Sequence, residues 1–427
     1  MLKIGHSVTR PGKKAQDPPV VLNVPEELET APGIVQRPAE VDFYSREYPL
    51  ELANVETTAD RDWEWPFHSQ ELNDFHREHE RLNRPLVEAC RATTDLEPTA
   101  TPVPGKDVSE LIKTKARELG IGEVGITQLD RRYVFKFIRG YVKYQHAVCI
   151  AYEQDYEGTQ GAPGMSAERP HFDTYREMVP PILALGDYIR SLGYNAQVHH
   201  PDDNVVATVA MFMQAGMGQL GANGQLLSPH FGSRARHTVI TTDALVTYDE
   251  PVDYGMHAFC DICQVCVNRC PGRALMRDKV WWRGVQKHKL IYRRCRPVIA
   301  RYEGCAVCMK VCPIQRYGMK NVLDHYAATG VVLGKGTHGL EGYTMKDKGY
   351  FGPGELPRFS SDFFDMPHGR SEDVAFEELK DRIKEGDIPD GAEGDQALRE
   401  FKERVEQYVK MPLNFQGNPQ DEYAKQE

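Results

Sequence analysis

Apolar and polar positions alternate with a regular pattern between about residues 106 and 255. Short apolar runs of strand length are separated by stretches whose apolar residues recur every three to four positions, as on one face of a helix. This helical spacing is clear for Met178, Ile182, Leu185 and Ile189. The pattern predicts helices over 107–119, 173–192 and 205–217, and strands over 122–127, 147–153, 195–200 and 238–246. Strands that alternate with helices indicate a layered α/β domain over 106–255.

The segments on either side of this domain differ in composition. Residues 1–105 are rich in proline, with 12 of the 28 prolines of the chain, and they predict an N-terminal arm with a few short helices such as 68–90. Residues 256–320 are rich in cysteine and predict a compact second domain. Residues 321–427 predict a glycine-rich loop that completes a pocket, followed by an acidic helical tail.

The overall charge narrows the range of functions. The chain of 427 residues has a formal net charge of -10 and 41% hydrophobic residues. An acidic globular chain argues against a general affinity for nucleic acid or anionic membranes. No apolar run is long enough to span a bilayer, and the N-terminal segment has no apolar signal-peptide core. We therefore expect a cytoplasmic protein without a membrane span.

Cysteines carry the strongest chemical signal in the chain. Eight of the ten cysteines fall between Cys260 and Cys312, and such clustering in a long chain favours metal binding over disulfides. The run CDICQVCVNRCP, from Cys260 to Pro271, has the spacing C-x2-C-x2-C-x3-C-P. This is the spacing of bacterial ferredoxins, in which three thiolates bind one cubane cluster and the fourth binds the other cluster. The sequence therefore predicts two [4Fe–4S] clusters.

A second run, CAVCMKVCP, extends from Cys305 to Pro313 and lacks one cysteine of that pattern. Cys295, which precedes Cys305, can supply the missing ligand. The completed assignment predicts one cluster on Cys260, Cys263, Cys266 and Cys312, and the other on Cys270, Cys295, Cys305 and Cys308. The alternative is a pair of zinc sites, but zinc knuckles do not require a proline after the last cysteine of each run.

A second redox motif does not accompany the cysteines. No G-x-G-x-x-G follows a strand, so the sequence predicts no Rossmann-type site for a flavin or a nicotinamide. The D-x-H-x-x-G pattern with which some corrinoid proteins ligate cobalt is also absent. Residue chemistry alone therefore indicates a two-cluster electron-transfer protein with an α/β partner domain.

The motifs follow one another in a distinctive order. IRSLGYNAQ is followed by AGMGQLGANGQLLSPHFGSRARHTVITTDALV, by the ferredoxin run, by Cys295 and by CAVCMKVCP. This order resembles that of the cobalamin-dependent reductive dehalogenases and, more distantly, that of the epoxyqueuosine reductases, over about residues 106–320. The resemblance implies a nitroreductase-like α/β (α+β) domain that holds a base-off cobalamin, with a two-cluster ferredoxin-like insert. It also implies that His199 and His200 are not cobalt ligands.

The resemblance further implies candidate site residues. In the dehalogenases a tyrosine donates a proton and a downstream basic residue stabilises its phenolate, and Tyr175 and Arg234 occupy the matching positions. A neighbouring guanidinium lowers the pKa of a tyrosine by favouring its charged form. In the epoxyqueuosine reductases an aspartate near this helix start is the acid, which makes Asp173 the alternative donor. Contacts with the corrinoid or the pocket are expected from Asn204, Gly232, Ser233 and Arg236.

These observations leave three hypotheses for the function. The first is a corrinoid and iron–sulfur reductase that cleaves a carbon–halogen bond of a small organohalide, with electrons from a separate ferredoxin or flavodoxin. The second is a tRNA-modifying reductase like the epoxyqueuosine reductases, or a reductase of another carbon–heteroatom bond; the acidic chain makes a nucleic-acid partner the weaker expectation. The third is a non-catalytic electron-transfer subunit.

Overall fold

Short strands and helices of varied length make up the described chain. The computed structural model describes residues 1–14, 16–37, 69–134, 140–203, 205–282, 285–364, 391–396 and 399. The strands are β1 (Ile4–Arg10), β2 (Val20–Pro25), β3 (Glu123–Gln128), β4 (His146–Glu153), β5 (Ala196–Val198), β6 (Gln219–Leu220), β7 (Leu226–Leu227), β8 (Ala235–Thr242), β9 (Leu275–Trp282), β10 (Val285–Leu290), β11 (Tyr343–Met345) and β12 (Gly349–Phe351). The helices are α1 (Gln70–Ala92), α2 (Ser109–Glu118), α3 (Tyr156–Gln160), α4 (Met165–Ser191), α5 (Thr208–Gln214), α6 (Met256–Cys263), α7 (Val265–Arg269), α8 (Tyr292–Arg301), α9 (Val307–Lys310), α10 (Pro313–Tyr317), α11 (Met319–Thr329) and α12 (His338–Glu341).

A four-stranded antiparallel sheet forms the centre of the α/β region. Its strand order is β3-β4-β8-β5, and Cys149 of β4 lies opposite Gly125 of β3 and Val239 of β8. These are the four strands predicted from the apolar runs. β8 begins at Ala235, three residues before the predicted start at 238. The prediction missed these residues because Arg236 and His237 are polar and interrupt the apolar pattern.

Helices cover both faces of this sheet. On one face, the predicted apolar positions Ile182 and Ile189 of α4 pack in one core with Ile112 of α2. On the other face, Met211 and Phe212 of α5 pack against the residues of β4 and β8 that point towards them. The layered α/β arrangement predicted from the periodicity is therefore confirmed.

The long helix α4 begins eight residues before the predicted start at Asp173. Pro170, Pro180 and Pro181 lie inside the helix, and a proline removes a main-chain hydrogen bond from a helix interior. Packing against α1 compensates at the N-terminal end, where Phe172 meets Phe75 with ring centroids 5.7 Å apart. The extension matters because it places Tyr175 within the helix rather than at its start.

The N-terminal segment contains more regular structure than its proline content suggested. β1 and β2 form an antiparallel hairpin, and Leu22 and Val24 of β2 join the core around α11. Ser69 caps α1 by accepting a hydrogen bond from the main-chain N–H of Leu72 at 3.1 Å. The hairpin and α1 therefore both belong to the packed body of the protein.

The cysteine-rich region has two cores of its own. One contains Cys260, Cys263 and Cys312 together with the N-terminal hairpin and α11. The other is smaller and contains Cys270 with residues of β9 and the start of α8. The predicted acidic tail lies outside the described residues except for 391–396 and 399. Within the described parts of the chain, no helix combines the length and the apolar character needed to cross a membrane.

Glu123, the first residue of β3, is a buried carboxyl group whose ionisation should affect stability. It is 6% exposed, and its carboxyl group accepts a hydrogen bond from Ser228 Oγ at 3.0 Å. Burial raises its pKa from 4.5 to about 7. An acid with a raised pKa in the folded state binds more protons when folded than when unfolded. Its contribution to the free energy of unfolding is therefore present below pH 4.5 and is lost as the pH rises towards 7.

We expect Glu123→Gln to remove this loss. The variant should exceed the parent in free energy of unfolding at pH 8 by on the order of 3 kcal/mol, with a much smaller difference at pH 5. Urea unfolding of both proteins at the two pH values measures the effect. The same difference at both pH values would show that ionisation of Glu123 is not its cause.

Candidate functional site

A cavity of about 190 Å³ is lined by residues of α4, α5 and the first half of β8. It lies beside residues 235–239 of β8, whereas β5 pairs with β8 further along, through residues 240–242. Because the neighbouring strand lies past this point, side chains from both faces of β8 can reach the cavity. Its polar side chains include those of Tyr175, His200, Arg236 and His237.

Tyr175 lines this cavity from α4. Burial raises the pKa of its phenol above 10, and the guanidinium of Arg236 opposes this shift. Arg236 Cζ lies 6.0 Å from the centroid of the Tyr175 ring. Gln154 holds the guanidinium in place by accepting a hydrogen bond from Arg236 Nε at 2.7 Å. Tyr175 therefore keeps its proton at neutral pH, beside a cation that can stabilise the phenolate.

Arg234, the residue expected to partner Tyr175, lies elsewhere. Its guanidinium forms an ion pair with Glu153 and lies 5.2 Å from the centroid of the Tyr156 ring. Its Nη1 donates to the main-chain oxygen of Gln315 at 3.3 Å. Arg234 precedes β8 and turns towards α10, whereas Arg236 lies within the strand beside the cavity. In the structure, the guanidinium next to Tyr175 is therefore that of Arg236.

The other residues predicted for this site have separate environments. Asp173 forms an ion pair with Arg176 and is not among the residues that line the cavity. Gly232 has a φ of 56°, and a Cβ atom there would come within 2.5 Å of Gln315 Cα. Ser233 is 2% exposed, and its Oγ has no hydrogen-bond partner among the described residues. Asn204 lies outside the described residues.

Two histidines form part of the cavity wall without having been predicted as site residues. The main-chain N–H of Asp202 donates to His200 Nδ1 at 3.0 Å. Burial lowers the pKa of His237 to about 3, so its imidazole is neutral, and its ring packs on Phe212 at 4.5 Å between centroids. The adjacent Arg236 and His237, which interrupt an apolar strand, are the sequence signal that could have indicated this wall.

A second, smaller cavity of about 20 Å³ has four cysteines in its lining. They are the four predicted to share one cluster, namely Cys260, Cys263, Cys266 and Cys312. Burial raises the pKa of the Cys266 thiol, and the nearby thiols of Cys260, Cys312 and Cys263 raise it further. The fold therefore brings together one of the two predicted ligand sets.

The other predicted set is also brought together. Burial raises the pKa of Cys295, and the neighbouring thiols of Cys270, Cys305 and Cys308 raise it further. Cys295 and Cys308 pack against the small core that contains Cys270. Among the described residues, no three His, Cys, Asp or Glu side chains lie close enough together to hold a single metal ion.

The two cysteine runs share an unusual local conformation. In each run a residue in the left-handed region follows a cysteine, with Gln264 at φ 53° after Cys263 and Ala306 at φ 49° after Cys305. A valine and the next cysteine then open a short helix in both runs. Residues other than glycine rarely adopt this conformation, so the two runs share a constrained turn.

One loop separates the two cavities. Ala222, Asn223 and Leu227 line the cysteine cavity, whereas Gly224 and Gln225 line the cavity of Tyr175. Asn223 Oδ1 accepts a hydrogen bond from the main-chain N–H of Gln225 at 3.1 Å, which fixes the turn between them. The glycine-rich stretch identified in the sequence therefore forms the wall shared by the two sites.

Comparisons with known proteins find two groups of reductases, and no protein-family model matches the chain. The chain is 30% identical over 137 residues to a tetrachloroethene reductive dehalogenase of Desulfitobacterium hafniense, covering 32% of this chain and 24% of that protein. It is 33% identical over 135 residues to an epoxyqueuosine reductase of Lactococcus garvieae, covering 29% and 35% of the two chains. The resemblance inferred from the motifs is therefore confirmed.

A solved structure supports the same relationship. The catabolic reductive dehalogenase NpRdhA, in complex with 3-bromo-4-hydroxybenzoic acid, matches with a TM-score of 0.50 and 26% identity. The match covers 57% of this chain and 39% of that one. The chain thus spans less than half the length of the reductive dehalogenases that it matches here.

Proposed function

We propose that the protein is a corrinoid- and iron–sulfur-dependent reductase that cleaves the carbon–halogen bond of a small organohalide. The observation that carries this proposal is that a single loop forms the wall between two cavities. Tyr175 and Arg236 line the first cavity, and four cysteines line the second. Similarity to a tetrachloroethene reductive dehalogenase supports the choice of reaction.

The chain's own groups fit the cofactors that this proposal requires. The two cysteine sets would hold two [4Fe–4S] clusters in a ferredoxin-like insert. The cavity beside β8 would hold the corrinoid in a nitroreductase-like domain. His237 Nε2, in the wall of that cavity, has no hydrogen-bond partner among the described residues. When bound, the cofactors would supply single electrons and a reduced cobalt centre.

Tyr175 is the residue to which we assign proton donation. Its raised pKa keeps the phenol protonated, and Arg236 stabilises the charge left behind after the proton departs. Asp173, the alternative donor, pairs with Arg176 outside the cavity wall. His200 and the neutral His237 complete the polar wall of the cavity, where they can orient a substrate.

A pair of arginine variants tests this assignment. Arg236→Gln should raise the pKa of Tyr175, because it removes the cation that favours the phenolate, and it should lower kcat by about tenfold or more. Arg234→Gln is the matched control, since Arg234 pairs with Glu153 instead. Ultraviolet titration of tyrosine and the rate of halide release measure the two effects. A larger effect of Arg234→Gln on the Tyr175 titration would reverse the assignment.

A second candidate function is supported by the similarity to an epoxyqueuosine reductase. In that case the same cavity would accept a modified nucleoside, and the reaction would release no halide. The third hypothesis, a non-catalytic electron-transfer subunit, requires no corrinoid in the cavity of Tyr175.

Anaerobic reconstitution with iron, sulfide and cobalamin separates these candidates. The proposal predicts a corrinoid absorbance spectrum and halide release from a halophenol or a chlorinated alkene with a strong chemical reductant. Reduction of epoxyqueuosine in a tRNA stem-loop, without halide release across the organohalide panel, would favour the second candidate. A chain that takes up clusters but no corrinoid would favour the third.

A further inference from the structure

A strongly basic segment surrounds part of the second cysteine set. Residues 273–301 contain ten Lys and Arg residues and one acidic residue, Asp278, a formal net charge of +9 in a chain of net charge -10. We call the described part of this segment, residues 273–282 and 285–301, the basic face. Charge of one sign concentrated in one region attracts partners of the opposite sign and steers their encounter.

The basic face is built around two of the predicted cluster ligands. β9 and β10 pair as an antiparallel hairpin, and α8 carries Cys295 between Arg294 and Arg296. Apolar residues of these elements, among them Met276 and Ile291, pack with Cys270 and Cys295. The cations therefore belong to the layer of structure that covers these cysteines.

Asp261, which follows Cys260 in α6, anchors the hairpin. Its carboxylate accepts a hydrogen bond from Lys279 Nζ at 2.6 Å and lies 3.0 Å from His288 Nε2. His288 Nδ1 in turn lies 3.1 Å from the main-chain oxygen of Met276. The hairpin is thus tied to the helix that carries Cys260 and Cys263 of the first cysteine set, so the basic face keeps a fixed position relative to both sets.

Exposed apolar side chains accompany the cations. Leu290 at the end of β10 is 38% exposed, Ile262 beside Asp261 is 42% exposed, and Arg277 of β9 is exposed. Several other cations of the face have partners within the chain: Arg273, Lys287, Lys289, Arg294, Arg296 and Arg301. A few apolar groups within a charged surround are typical of interfaces between proteins that bind transiently.

We propose that the basic face docks an acidic, soluble one-electron carrier protein of the ferredoxin or flavodoxin class. The inference rests on the proposed function, because a reductase of this kind needs a source of electrons. Opposite charge steers such a carrier towards the second cysteine set. The residues that line the cavity of Tyr175 include none from 273–301, so the carrier and the substrate occupy different parts of the described surface.

A nucleic acid is the other polyanion that a basic surface can bind. A nucleotide substrate would have to reach Tyr175, and the cationic group in that cavity wall comes from Arg236 of β8, not from the basic face. Basic residues that lie over a cysteine set and away from the cavity are better placed to bind an electron carrier than to position a substrate. We therefore commit to the protein carrier.

The test is a binding titration of the reconstituted full chain with a purified acidic flavodoxin. Arg277→Glu combined with Lys289→Glu should weaken binding by about tenfold or more, and binding of the parent should weaken steeply with added salt. Lys106→Glu combined with Lys320→Glu is the control, because it makes the same change in net charge outside the face. Iron content shows whether each variant is folded. If the double variant with glutamate loses iron, the double variant Arg277→Gln with Lys289→Gln replaces it.

The outcomes keep docking and catalysis apart. Weaker flavodoxin binding, with normal halide release from a chemical reductant, supports the basic face as the docking site. The proposal is overturned if the control variant loses as much affinity for flavodoxin as the face variant, if the face variant loses none, or if binding does not depend on salt. This holds whether or not halide is released. A tRNA stem-loop that binds the parent and not the face variant, without flavodoxin binding, assigns the face to nucleic acid instead.

Discussion

Tyr175→Phe should lower kcat for halide release by about 10²- to 10⁴-fold, the range that a positioned proton donor contributes. The phenol of Tyr175 lines the cavity, and its raised pKa keeps the proton available at neutral pH. Phenylalanine preserves the ring and its edge-to-face contact with His171, whose centroid lies 4.9 Å away. The variant should therefore bind corrinoid and clusters as the parent does, while losing the proton.

Spectra and turnover together decide this prediction. Corrinoid absorbance, iron content and the rate of halide release are measured on the same anaerobic preparations. Tyr188→Phe is the matched control, because Tyr188 lies on the same helix and is not part of the cavity wall. Full activity of Tyr175→Phe would transfer the role to Asp173, which Asp173→Asn would then test.

Cys295→Ala should lower the iron content by about half, because it removes one thiolate from a four-cysteine cluster site and leaves the other set complete. Cys295 is the predicted ligand that lies outside both sequence runs. Its thiol nevertheless lies near those of Cys270, Cys305 and Cys308, because α8 packs against the loop that follows Cys270. Arg294 Nε holds this contact by donating to the main-chain oxygen of Gly272 at 2.7 Å.

Iron analysis and electron paramagnetic resonance measure this second prediction. Cys149→Ala makes the same substitution at a buried cysteine of β4 and should retain all of the iron. Two intact clusters in Cys295→Ala would overturn the ligand assignment. Bound zinc in place of iron in the parent protein would overturn the prediction of clusters altogether.

Several features were predictable because they depend on residues that are close in sequence. The spacing of apolar positions predicted the four strands of the central sheet and the buried face of α4. The intervals between cysteines predicted which ones come together, since a short loop can turn nearby thiols towards one centre. The glycine-rich stretch was recognised as a motif, although its place between two cavities was not foreseen.

The sequence by itself determined the layered α/β domain, the two cysteine sets and a tyrosine in the region of the site. Only the tertiary structure decided that Arg236 rather than Arg234 accompanies Tyr175, and that His200 and His237 join the cavity wall. The physical reason is that these contacts join elements far apart in the chain. Where β8 begins, and where its pairing with β5 lies, decide which side chains reach α4, and neither can be read from local periodicity.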